Sequence, residues 1–283
     1  MGLFDCQIRG FYLELTLVYI FFKKIIYNTD AFILTYKHLL ILPLLLLVAA
    51  ACSTPRTAVS IDDMERSDIS PAELAAMVPD YSTTLLTLEG SGRAIISEPG
   101  SSERVTLQFM TGRDASLITV RTSVGIEGGQ ILVDTDSLLV YNKVDGYAEK
   151  VSIHQSNLTS IGSLASLNML DLFSYSLPED EIAYIFENDR YFVAVLFDDT
   201  RVTISKRDGI VQDVVQTGAR AAYSRIEYEG HARIEDFYLP RKITIFSRDG
   251  SSRATFLVQR LEVNTELPEL RIDLPDDIPI YRL

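Results

Sequence analysis

Residues 85–120 read LLTLEGSGRAIISEPGSSERVTLQFMTGRDASLITV. From Thr84 onward the apolar and small residues fall at every second position: Leu86, Leu88, Gly90, Gly92, Ala94 and Ile96 share one parity. A period of two places such residues on one face of a strand. Pro99-Gly100 turns the chain. Val105, Leu107 and Phe109 then resume the alternation in a second strand. Gly112-Arg113-Asp114 turns it again, into a third strand at 117–120. The two glycines inside the first strand mark a bend or a bulge. Strands joined by tight turns are the signature of an antiparallel meander.

The pattern continues downstream. After the glycine-rich junction 124–129, strands are expected at 130–133, 137–142 and 147–153, turning at Asp134-Thr135-Asp136 and near Asp145-Gly146. Between 156 and 175 the period changes. Leu158, Ile161, Leu164, Leu167, Leu170 and Phe173 recur at helical spacing, and Gly162 or Ser163 divides them into two short helices. Strands resume at 182–186, 191–197, 202–206, 210–216, 223–228, 232–236, 242–247 and 254–262. Turns are expected at Arg207-Asp208-Gly209, Tyr238-Leu239-Pro240 and Arg248-Asp249-Gly250. Residues 266–283, with Pro268, Pro275 and Pro279, read as an extended tail laid on the body through Ile278, Ile280 and Tyr281. The expected fold is mainly β (α+β): a curved antiparallel sheet or incomplete barrel of about 11–13 strands, with a short helix before it and a helical lid in its middle.

Upstream, Ser70-Pro71-Ala72-Glu73 opens that first helix. Ser70 caps it, Pro71 suits the first helical position, and Glu73 completes a capping box. Leu74, Met77 and Val78 form its apolar stripe, and Pro79 ends it. Residues 53–70 lack apolar periodicity and read as a solvated tether. The stretch 39–52, LLILPLLLLVAAAC, is apolar, follows Lys37 and His38, and ends in three alanines and a cysteine. A charged start, a short apolar core and small residues make a secretory signal, and 13 apolar residues fall short of the roughly 20 that span a bilayer. Residues 1–33 precede anything that signal needs, and 34–51 alone have the proportions of a signal peptide.

Val48-Ala49-Ala50-Ala51-Cys52 resembles the lipobox of bacterial lipoproteins, departing from it at Ala49, where Leu is commoner. That resemblance implies cleavage before Cys52, with diacylglycerol (palmitate-type chains) on its sulfur and an N-acyl group on its amine. Ser53 in place of Asp points outward under the sorting rule of that family. The expected location is the outer membrane, lipid-anchored and facing the periplasm.

The chain carries a net charge of −13. Removing residues 1–51, with Asp5, Glu14 and Asp30 against Arg9, Lys23, Lys24 and Lys37, leaves the rest near −14. Nucleic acid is excluded as a partner, because phosphate binding needs clustered Lys and Arg. Attachment to a membrane then falls to acyl chains. After cleavage Cys52 is the only cysteine, so no intramolecular disulfide or zinc cluster can form. His154 and His231 stand 77 residues apart without helical partners, and no metal site is expected. Asp134-Thr135-Asp136 lacks the later ligands of a calcium loop and reads as an Asp-stabilised turn. There is neither a phosphate loop nor a Gly-x-Ser-x-Gly elbow, so no residue is assigned a catalytic role and no enzyme or diffusible cofactor is expected.

The order of elements resembles the LolA/LolB-like superfamily of lipoprotein localisation factors. The likeness rests on ELAAMV (73–78) before LLTLEGSGRAIIS (85–97), on SVGIEGGQILVDTDSLLVYNK (123–143), on SNLTSIGSLASLNMLDLF (156–173), and on FYLPRKITIF (237–246). It covers residues 71–265 and implies an incomplete barrel whose helical lid closes an apolar cavity for acyl chains. By that resemblance Val124 and Ile126 are the candidates for membrane contact, and Leu158, Ile161, Leu164, Leu167, Leu170 and Phe173 form the lid. The ligand implied is a lipid or an acylated lipoprotein. The basic rim of the soluble carrier has no match in this acidic chain. Patterning leaves two interiors open: a cavity of several hundred Å³, as ligand pockets usually are, or a packed core on a structural lipoprotein that binds an envelope protein. Cys52→Ser is expected to leave an unprocessed precursor. N-terminal sequencing of that precursor reads out both the cleavage and the presence of residues 1–33, and normal maturation of the variant would refute the lipobox.

Overall fold

A computed structural model describes residues 59–122, 124–153, 166–218 and 221–282, and Ala58–Leu283 forms one compact unit. Seventeen strands lie among the described residues. The first is β1 (Glu65–Arg66). A meander follows: β2 (Thr87–Glu98), β3 (Ser101–Gly112), β4 (Ala115–Arg121), β5 (Glu127–Asp134), β6 (Ser137–Asn142) and β7 (Tyr147–Ser152). A second runs through β8 (Ile182–Glu187), β9 (Tyr191–Leu196), β10 (Arg201–Ser205), β11 (Val211–Val215), β12 (Arg225–Glu229), β15 (Lys242–Phe246) and β16 (Arg253–Val263). The hairpin β13 (Ala232–Ile234) and β14 (Phe237–Leu239) interrupts it, and β17 (Ile280–Arg282) ends the set. Fifteen strands form one sheet in the order β1-β8-β9-β10-β11-β12-β15-β16-β2-β3-β4-β5-β6-β7-β17. The sheet is antiparallel except where β17 joins β7, and it does not close.

The strand count exceeds the expected 11–13, and three of the short strands carry no alternation of their own. Glu65 and Arg66, in the expected tether, pair with Glu187 and Phe186, and the Ser67 amide donates to the Ile185 carbonyl. The stretch 238–240 was expected as a turn, yet Phe237–Leu239 pairs with Ala232–Ile234 as β14. The extended tail ends as β17 beside Ala148–Lys150. Its far end is fixed by Asn264 at φ +53, whose side chain accepts from the Leu86 amide and donates to the Thr84 carbonyl.

The two meanders meet where β16 pairs with β2. Gly90 and Gly92 of β2 sit at that joint. A Cβ on Gly90 would lie 2.6 Å from the Phe109 ring and 2.8 Å from the Arg260 carbonyl oxygen. A Cβ on Gly92 would run into the Leu257 carbonyl oxygen and the Phe256 ring. Opposite them β16 carries a bulge between Val258 and Arg260. The two glycines therefore let aromatic rings lie directly on the β2 backbone, and the bulge adds local bend and twist. Leu88 and Ala94 on the same parity are buried, whereas Leu86 precedes the strand and is exposed, contrary to the alternation, with Leu85 buried in its place.

Helix α1 (Pro71–Met77) starts at Ser70, whose hydroxyl accepts from the Glu73 amide while Glu73 accepts from the Ser70 amide. Leu74 is fully buried and Val78 nearly so, but Met77 is exposed, so the stripe is narrower than its spacing suggests. The Met77 carbonyl closes on Gly209 (φ +70) in the β10–β11 turn, where no Cβ fits. Gly92→Ala should cost about 3 kcal/mol, as overpacked backbone contacts do. Gly100→Ala (φ +82), with open space around it, should cost only about 1 kcal/mol. Urea unfolding of the two variants measures the difference, and equal costs would refute the close-packed joint.

Candidate functional site

Strands β7 and β8 follow each other in the chain but lie towards opposite edges of the sheet. The connection between them must cross the sheet. Its described part contains helix α2 (Met169–Phe173), all but Asp171 buried. Polar groups hold this helix to the β3–β4 turn. Asn168 caps it by accepting from the Leu170 amide (2.7 Å) and donates to the Gly112 and Arg113 carbonyls. The Thr111 hydroxyl donates to Asn168 (3.1 Å), and the Ser116 hydroxyl accepts from the Met169 amide (3.0 Å). Thr111 and Ser116 are both fully buried, so these bonds satisfy groups that would otherwise cost stability. The apolar side of α2 then seats Phe173 against Phe109, with ring centroids 5.7 Å apart and an interplanar angle of 17°, and edge-on to Phe256 at 6.3 Å.

An apolar cavity of about 150 Å³ lies between α2 and the sheet. Its walls are Ala94 and Ile96 of β2, Val105 and Leu107 of β3, Ile118 and Val120 of β4, Ile131 of β5, Ile243 and Ile245 of β15, and Ala254 and Phe256 of β16. Leu167, Met169 and Leu172 close the helical side. Period-two alternation generates these walls, because every strand contributes the parity that faces α2. The volume is below the several hundred Å³ of the open-cavity alternative, since the Phe109–Phe173–Phe256 cluster and Leu170 occupy much of the interior.

The expected lid residues separate accordingly. Leu167 lines the cavity. Leu170 and Phe173 are buried in the core cluster. Leu158, Ile161 and Leu164 lie outside the described residues. Val124 and Ile126 stand on the β4–β5 loop, 78% and 64% exposed. Sequence reasoning missed Val144, in the β6–β7 turn, which is 73% exposed. The two loops are neighbours: the Lys143 amide donates to the Gly128 carbonyl (3.0 Å), and Lys143 Nζ is 3.5 Å from Glu127. Strand directions place all three tips at the end of the sheet that carries the β2–β3 turn. Val120, Ile96 and Ile245 of the cavity wall approach that same end. A lone valine in an Asn-Lys-Val-Asp-Gly turn was the available signal.

Two other recesses differ in character. One of about 200 Å³ mixes Glu89, Ser91, Gln108, Thr119, Arg260 and Glu262, and Arg260 is already paired with Glu262. The other, about 40 Å³, lies between the end of α1 and Tyr228, His231 and Tyr238. Among the described residues no group of three or more metal-ligating side chains converges. Asp134 accepts from the Asp136 and Ser137 amides and the Ser137 hydroxyl, as expected of an Asp-stabilised turn. Those bonds keep its carboxyl below its ordinary value although burial acts upward.

No family model matches the chain, and no curated protein matches it. Solved structures similar to it include a DUF1329 family protein from Desulfovibrio piger (TM-score 0.49, 13% identity, over 70% of this chain and 94% of that one). An outer membrane lipoprotein-sorting protein domain from Vibrio parahaemolyticus gives TM-score 0.47 and 12% identity over 70% and 92%. A LolA superfamily protein from Nitrosomonas europaea gives 0.49 and 10% over 71% and 96%.

His231 is stacked on Tyr238 at 5.7 Å. Burial lowers its pKa from 6.5 to about 4, with Asp208 opposing. The fold thus prefers the neutral ring, while the unfolded chain takes up a proton below about 6.5. The stabilisation is complete above that value and is lost as pH falls towards 4. Thermal unfolding between pH 7 and pH 4 should show this loss, and His231→Gln should show less of it. An unchanged pH profile in the variant would exclude His231 as its source.

Proposed function

We propose that this protein is a lipid-anchored, non-enzymatic cell-envelope protein that takes an acyl chain into the cavity beneath α2. The carrying observation is the cavity itself: a space whose walls are mostly apolar, part of which approaches the end of the sheet where Val124, Ile126 and Val144 project. Cavities of this size lined by such residues stay dry and accept apolar guests. Cys52, acylated on sulfur and amine, supplies the anchor, and the three exposed side chains touch the bilayer from which a chain enters. The outer membrane, with the body in the periplasm, is the location that the signal and Ser53 favour.

A second reading has its own support. The Phe109–Phe173–Phe256 cluster fills the middle of the interior, which suits an interaction protein with a mostly packed core that binds an envelope protein. Mass spectrometry of protein purified from membranes separates the two. The acyl-binding reading expects a lipid in addition to the Cys52 acyl groups. It also expects Val105→Phe, which fills the cavity from its wall, to lower that lipid about fivefold or more while the fold persists. Protein that carries nothing beyond its own anchor would favour the packed-core reading.

A further inference from the structure

The registers sort the charges at one end of the sheet by face. Arg93, Arg104, Arg121 and Arg253 are each the immediate neighbour of a residue that lines the cavity: Ala94, Val105, Val120 and Ala254. Successive side chains of a strand point to opposite faces, so all four arginines stand on the outer face. There Thr106 lies opposite Arg93 on one side and Arg121 on the other, and Arg104 follows two residues along β3. Cross-strand neighbours on one face lie about 5 Å apart, so three arginines surround Thr106. Arg253, opposite Ser97, extends the group onto β16. The carboxylates of this end lie elsewhere or have partners. Glu98 and Glu103 fall on the cavity-facing parity, and Glu127 faces Lys143 at 3.5 Å. Asp145 and Asp249 are bonded within their own turns. The acidic tail starts at the opposite end, where the Thr87 hydroxyl donates to the Thr265 carbonyl. Its Glu269 and Asp273 pair with Arg271, and Asp276 and Asp277 precede β17 at the far edge of the sheet.

The four arginines are not used by the fold. Among the described residues the ion-paired arginines are Arg207, Arg225, Arg233, Arg260 and Arg271. Arg93, Arg104 and Arg253 are exposed, and the buried Nε of Arg121 has no hydrogen-bond partner. Arg121 also ends β4 directly before the loop that carries Val124 and Ile126, so cations and apolar tips are contiguous. That combination matches the surface of an anionic bilayer, where apolar side chains meet hydrocarbon and basic ones stay at the level of the phosphates. Nucleic acid offers the phosphates without the hydrocarbon. The net charge of −13 conceals this segregation.

We propose that the outer face around Arg93, Arg104, Arg121 and Arg253 docks on an anionic phospholipid surface, turning the acidic rim at Glu98 and Glu103 away from it. This rests on the membrane contact proposed for Val124, Ile126 and Val144, and adds the sign of the lipid charge and the face that meets it. The test uses the acylated protein, purified from membranes and reconstituted into vesicles of phosphatidylcholine alone or mixed with phosphatidylglycerol. A fluorophore on Ser102→Cys reports the outer face and one on Val144→Cys reports the tips, each read by quenching from a nitroxide-headed lipid. The Ser102 reporter should be quenched on the phosphatidylglycerol vesicles, less so at high salt, and little on phosphatidylcholine. Each arginine at an anionic leaflet contributes about fivefold, so Arg93→Gln with Arg104→Gln should weaken the contact about 25-fold. Both side chains are exposed and unpaired, so thermal unfolding of that variant should match the parent. Lys at both positions should keep the contact, and Arg233→Gln, which removes a charge elsewhere, should leave it unchanged. Equal quenching on the two vesicles, or no loss in the Gln variant, overturns the basic-face assignment, and quenching of the Val144 reporter then leaves the tip contact standing. Shielding of Ser102 that grows with protein density on phosphatidylcholine assigns the face to a second, acidic copy and also overturns it. Absence of quenching at both positions overturns the membrane contact itself.

Discussion

The contact of Phe109 and Phe256 with the glycines of β2 is the constraint from which the rest of the body follows. β2 joins the two meanders, and at Gly90 and Gly92 it has no side chain on its inner face. The two rings fill that space, edge to face at 5.7 Å. Aromatic pairs in this arrangement contribute about 0.5–1.5 kcal/mol beyond the area they bury. Their position matters more than that energy. They create the surface against which Phe173 stacks, and Phe173 fixes α2 on the inner face. A side chain at either glycine would displace a ring and, through it, the helix.

The helix in turn defines the cavity. Aromatic stacking holds its C-terminal side, and the Thr111–Ser116–Asn168 cluster holds its N-terminal side. A connection that must pass from one edge of a fifteen-stranded sheet towards the other would otherwise have no fixed course. Because both ends of α2 are held, the space between them and the sheet is a property of the packed state. It is left by the mismatch between a five-residue helix and the width of sheet beneath it. The walls are aliphatic for the same reason that the strands are amphipathic, so no separate device is needed to make the cavity apolar.

Much of this was legible because the alternation of 86–120 is regular and its turns contain Pro-Gly and Gly-Arg-Asp. The capping box at Ser70 and Glu73 was equally legible, since both partners are local. What escaped was long-range. β1 and β17 are strands only because β8 and β7 offer them an edge, and neither has a pattern of its own. Tyr238 lies in a strand because Arg233 faces it, although Pro240 nearby suggests a turn. The depth at which Leu170 and Phe173 are buried was not legible for a related reason. Helical spacing identifies an apolar side but not its depth, and the stacking of Phe173 on Phe109 depends on a contact made 64 positions away in the chain. Asn168 and Val144 carried no periodic signal, because one is a single cap and the other a single exposed tip.

The exposed tips and the anchor make sense together on energetic grounds. Val124, Ile126 and Val144 are each about two-thirds exposed or more. Moving such a side chain from water into hydrocarbon gains about 1.5 kcal/mol, so three gain about 4–5 kcal/mol. That corresponds to a dissociation constant near 1 mM, too weak to hold a free protein of net charge −13 on a membrane. A tether of the kind expected between Cys52 and the body would supply an effective concentration of about the same magnitude. With the acyl anchor proposed at Cys52, contact through the three tips would therefore be made and broken readily. A protein that accepts a chain from a bilayer needs that balance: an anchor that does not release, and a rim that does.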